Sequence, residues 1–155
     1  MDLTKLMSLH THWCIADSVR YALFVKKPPS RSEEKLRAQA GDDLVEMALI
    51  QSGIWRMCVL YGLEYVVVEG YGEMDDRFEP IDRLLAQTAY VDKLRLFRNS
   101  IFHYQPKFPN HKQLGFLEEK GSGIWVQRLH KAFKSYFKER LPIDEYMRTL
   151  KKRDA

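Results

Sequence analysis

Apolar residues recur through the middle of the chain at Leu44, Met47, Ala48, Ile50, Ile54, Trp55, Cys58 and Tyr65. Steps of three and four residues are the signature of a helix rather than a strand. The pattern predicts a long helix from Asp43 to about Glu69, stopped by Gly70 and Gly72. Asp43 and Glu46 have the spacing of a capping box at its start. The β-branched run Tyr65–Val68 would also suit a strand, but it is short and no partner strand is apparent. An earlier helix is expected over Leu3–Val25, ended by Pro28 and Pro29, with a short one near Ser32–Ala40. A third long helix starts after Glu79-Pro80, where proline favours the first turn. Its apolar stripe is Ile81, Leu84, Leu85, Thr88, Val91 and Leu94, and it ends before Pro106. The segment from Pro106 to Gly123 reads as loop. Ser122 is placed to cap a last helix, with Trp125, Leu129, Phe133, Tyr136 and Phe137 on one face and lysines on the other. The expected fold is all-α, a bundle of four or five helices in a single domain over residues 1–155.

Composition narrows the class. The chain has 155 residues and 45% hydrophobic content, enough for a real core. The apolar runs read as shorter than the ~18 residues that span a bilayer, so no membrane is expected. The opening "MDLTKLMSLHTHW" has no basic region followed by a long apolar stretch, so no signal peptide is expected. Cys14 and Cys58 form no CxxC pair. Reduced, buried thiols in a cytoplasmic protein are the simplest reading. The net charge of +4 is uneven, since residues 124–155 carry nine lysines and arginines against four acids. A basic end on a near-neutral body suits an anionic partner such as RNA. A solvated helix face with a basic tail from about residue 142 accounts for the same charges.

The candidate chemistry lies in "LRLFRNSIFHYQPKF", residues 94–108. Arg98, Asn99 and His103 interrupt an apolar helix just before it stops. Arg98 and His103 are five residues apart, which is about 140° around a continuous helix. Contact between them therefore needs a bulge or break at the helix end, where Pro106 disfavours further helix. Arginine grips phosphate through two parallel hydrogen bonds. Histidine moves protons near neutral pH. Asparagine offers an uncharged donor and acceptor. These groups suit RNA cleavage by attack of the 2′-OH on its own phosphate, a reaction that requires no metal or cofactor. The bland alternative is a helix end, where a cation gains ~0.3–1 kcal/mol from the dipole.

"LRLFRNSIFHYQ" resembles the HEPN superfamily signature, an arginine, a polar residue and a histidine in the pattern R-x(4–6)-H. Arg98, Asn99 and His103 match it residue by residue. The motif is short, but helix order and chain length extend the resemblance over most of the chain. It implies a helical bundle, a homodimer with two motifs facing each other, and metal-independent endoribonuclease activity. Toxin–antitoxin and defence settings follow from it, with an antitoxin protein as a partner. Inactive HEPN members that bind RNA or protein provide a second expectation. A structural helical protein without a catalytic site is a third. A second histidine from a partner copy would supply the missing proton-transfer group. Some HEPN toxins have a tyrosine two residues after the histidine. Here Gln105 holds that place and Tyr104 precedes it, which puts tyrosine-dependent regulation in question. "LEYVVVEGYGE", "FRNSIFHYQ" and "WVQRLHKAFKSYF" also resemble uncharacterised bacterial proteins of mobile gene cassettes.

Other residues weigh less. Glu69, at the wrong end of its helix for an acid, is expected either to pair with Arg98, to orient His103, or to stand exposed. His10 and Cys14 are four apart, too few for a zinc site. His111 lies in the loop after the motif, and His130 is expected at the surface beside lysines. "GYGEMD" lacks the completion of a nucleotide loop. Trp13, Trp55 and Trp125 are expected in the core or at a dimer interface, and an exposed stripe on the long helix would be a natural dimer seam.

Overall fold

The computed structural model describes residues 2–25 and 28–142. The basic tail from about residue 142 lies almost wholly outside the described residues. Among the described residues there are seven helices and no strand: α1 (Leu3–Phe24), α2 (Arg31–Ala40), α3 (Asp42–Gly72), α4 (Glu79–Leu85), α5 (Thr88–Phe102), α6 (His111–Leu117) and α7 (Ser122–Arg140). The all-α expectation holds, with more helices than the four or five expected.

The ends of these helices differ from the pattern in instructive ways. Asp2 caps α1 by accepting from the Thr4 and Lys5 amides. No capping box forms at Asp43, because Gly41 is the N-cap of α3 and supplies no side chain. Ser122 does not cap α7 either. Gly121, at φ +87°, takes that position, and Ser122 is the first helical residue. The third helix is two. Ala86 and Gln87 separate α4 from α5, and Gln87 leaves helical geometry at ψ 68°. The expected loop after Pro106 contains α6, started by a capping box between Asn110 and Gln113.

Among the described residues the core draws on every helix except α2. Leu9 of α1 meets Gly70 of α3, whereas Leu23 and Phe24 share a wall with Leu60 and Tyr61. α1 is therefore antiparallel to α3. Tyr71 of α3 packs edge-on against Phe133 and Tyr136 of α7. Trp13 and His10 of α1 pack on Phe137. Leu6, Ile81, Leu94, Phe97, Phe116, Leu129 and Phe133 are fully buried. The Tyr71 hydroxyl ties the α3–α4 connection, accepting from the Phe78 amide and donating to Asp82.

The first half of α3 is not core. Of residues 42–57 only Val45 is buried. Leu44, Met47, Ile50, Ile54 and Trp55 face outward, with Met47 65% exposed. α2 lies beside this half, held by Arg37 to Asp42 and Glu46 of α3, with Glu33 pairing to the same arginine within α2, and buries nothing of its own. At 31 residues α3 is about 46 Å long. By length and composition it is long and apolar enough to cross a membrane, contrary to the reading of its apolar runs as too short. Only 17% of the apolar 18-residue stretch that gives it this character is buried.

Candidate functional site

α5 runs antiparallel to α3, and its last turn carries Arg98 and Asn99 of the Arg-Asn-x-x-x-His motif, with His103 just past its end. Phe102 lies over Gly62, where an added Cβ would stand 2.8 Å from the ring. One turn earlier, the Arg98 guanidinium lies over the Tyr65 ring, 5.3 Å from its centroid. It also pairs with the Glu69 carboxylate. One guanidinium nitrogen donates to the Asn99 side-chain oxygen at 2.9 Å. The Arg98 Nε–H is buried without an acceptor among the described residues. Arg98 is thus fixed on three sides, and its side chain keeps 21% of its surface open.

His103 is outside the helix. It is the C-cap of α5, in extended geometry at φ −119° and ψ 143°, with its amide still donating to the Asn99 carbonyl at 3.2 Å. Its side chain is exposed, and so is that of Tyr104. Within one chain the described contacts include no hydrogen bond between Arg98 and His103. They share the end of α5, and the structure brings Glu69 to Arg98 rather than to His103. Beyond the motif, Gln105 donates to the His103 carbonyl and accepts from Asn110, linking the loop to α6.

A second polar cluster was not anticipated. His130 is buried, not at the surface, because α7 turns it toward α1 and α3. Its Nδ1 lies 2.5 Å from Glu64 Oε1, and its Nε2 lies 3.0 Å from Asp17 Oδ1. Trp13 stacks on the imidazole at 5.0 Å and donates its indole N–H to the His130 carbonyl. Glu64 is fully buried, and its Oε2 has no hydrogen-bond partner among the described residues. Burial pushes the Glu64 carboxyl up, against the opposing pull of His130. Burial would also raise Asp17, but hydrogen bonds from Arg20 and His130 hold it below its ordinary value. Both nitrogens of His130 are engaged, so the ring holds three helices together and is closed to substrate.

A sequence signal for this cluster existed. His130 continues the spacing of Val126, Phe133 and Phe137, Glu64 that of Leu60, Val67 and Val68, and Asp17 follows Trp13 by four. Polar residues on three core stripes point to mutual satisfaction, because buried polar groups need partners.

The remaining candidates stay apart. Cys14 is exposed and Cys58 buried, so only one of the two expected buried thiols is buried. Cys14 Sγ lies 3.5 Å from a His10 nitrogen. Burial, then the charge of Asp17, raise the Cys14 thiol, which opposes thiolate formation. Trp13 and Trp125 are buried, whereas Trp55 is half open and packs on Phe108. Among the described residues no group of three or more His, Cys, Asp or Glu is arranged to hold a metal ion. Comparison with protein-family models, curated proteins and solved structures finds no match.

Proposed function

We propose that this chain is a HEPN-type, metal-independent endoribonuclease acting as a cytoplasmic homodimer, in a toxin–antitoxin or defence setting. The observation that supports it best is the end of α5, where a braced arginine and an exposed histidine both reach solvent. Arg98 would hold the scissile phosphate and Asn99 would position it. His103 takes the proton of the 2′-OH as that oxygen attacks phosphorus. The P–O5′ bond breaks, and a second His103, from the other copy, gives a proton to the leaving oxygen. The apolar face from Leu44 to Trp55 supplies a seam for that copy, and it continues through Trp55 onto Phe108, five residues beyond His103.

Purified protein is expected to cut single-stranded RNA in EDTA and to leave 2′,3′-cyclic phosphate ends. Intact RNA across a broad substrate panel would sink the enzyme reading. Light scattering should give twice the chain mass, and Ile50→Glu with Ile54→Glu should halve it. A wild-type monomer, or wild type that sediments with lipid vesicles, would remove the dimer seam.

One observation favours a second reading. The Glu69 carboxylate already occupies the Arg98 guanidinium. An anion built into the fold at that point suits an inactive HEPN-like module that binds RNA or protein. RNA binding without cleavage would select it.

A further inference from the structure

The buried cluster leads outward to a cleft. Between α1 and α7 lies an opening of about 330 Å³, lined by Arg20, Phe24, Gln127, His130, Lys131 and Lys134. Among the described residues its lining contains one arginine, two lysines and no carboxylate. A smaller void behind it reaches Glu64. Asp17 holds Arg20 through Nε and a terminal nitrogen, both at 2.8 Å. The same carboxylate oxygen accepts from His130, which is anchored on Glu64. Four residues in series therefore connect the core of α3 to a guanidinium at the cleft wall. A pre-set donor loses less freedom on binding than a free one. Lys131 and Lys134 are three apart on α7, on one side of that helix, and both are exposed. Phe24 is 62% exposed at the cleft's edge. Cations that track a backbone beside an open aromatic ring are the elements of a single-strand binding groove.

We propose that this cleft is an RNA-holding site separate from the end of α5, in which Arg20, Lys131 and Lys134 take backbone phosphates and Phe24 stacks on a base. The proposal rests on RNA as the substrate class, but it concerns binding rather than cleavage. The Glu64–His130–Asp17 series is then the brace that aims Arg20.

The test is fluorescence anisotropy with a labelled 2′-O-methyl oligonucleotide, which lacks the attacking hydroxyl. Lys131→Ala with Lys134→Ala should weaken binding roughly tenfold and lower the slope of log K against log salt by about 1.4, at about 0.7 per phosphate contact. Lys131→Arg with Lys134→Arg should keep the slope. Phe24→Ala should weaken binding with the slope unchanged. Affinity and slope equal to wild type in the double alanine variant would overturn the site, and so would a wild-type protein that binds no RNA at low salt. The two readings separate cleanly. Wild type that binds through these lysines but cuts no RNA supports the cleft and defeats the nuclease. Wild type that cuts RNA, with the double variant binding as well as wild type, does the reverse.

Discussion

Replacing His103 by alanine is expected to lower RNA cleavage by about 10²–10⁴-fold, the usual worth of a positioned acid–base group. The fold should not notice. His103 caps α5 with its backbone amide, which alanine retains, and its side chain is exposed. Surface changes of this kind stay within about ±0.5 kcal/mol. Rate and stability therefore separate, and a melting temperature equal to wild type beside lost cleavage would assign His103 to chemistry. Undiminished cleavage by a stable variant would remove it from the mechanism. Mixing His103→Ala with Arg98→Ala chains adds a sharper reading. If one cleavage site draws groups from two copies, the mixture should differ from the average of its parents.

Glu64→Gln should change how stability depends on pH. Burial raises the Glu64 carboxyl above its ordinary value of 4.5. Below that value folded and unfolded chains both carry the proton. Above it the unfolded chain releases the proton while the folded chain keeps it, so stability falls as pH rises. The slope approaches about 1.4 kcal/mol per pH unit until Glu64 ionises in the folded state as well. With Glu64 protonated, its O–H donates to His130 Nδ1, and the Nε2–H donates to Asp17. Asp17 acts in the other sense. Held below its ordinary value of 3.8, it contributes stability above that pH and loses it as acid protonates it. Glutamine cannot ionise yet still offers His130 a donor. Relative to wild type, the variant should gain stability steadily above pH ~4.5, measured by urea unfolding from pH 4 to 8. Parallel curves for the two proteins would show that Glu64 ionises alike in the folded and unfolded chains, and would overturn the raised carboxyl.

How much of this was legible depends on what each residue type announces. Pro28 and Pro29 marked the end of α1, and the aromatic stripe of α7 marked its buried face. The break at Ala86–Gln87 was silent, since neither residue is a breaker and the apolar spacing runs through it from Leu84 to Val91. α3 misled in the opposite sense. Its periodicity announced a helix correctly but could not say that Met47 and Ile50 lack a covering element among the described residues. At the candidate site, residue types named Arg98 and His103, but only the fold shows that Glu69 meets the arginine. His130 was hidden by its neighbour Lys131, although its spacing matched the core.

The close approach of Phe102 to Gly62 bears on the motif from a distance. Arg98 is anchored by Tyr65 and Glu69, whereas His103 follows Phe102 directly and moves with it. The two groups thus answer to different footings on α3. One methyl group added at residue 62 would lift the second footing and leave the first in place. The absent side chain of Gly62 works as a shim of zero thickness, setting the reach from arginine to histidine from the opposite helix.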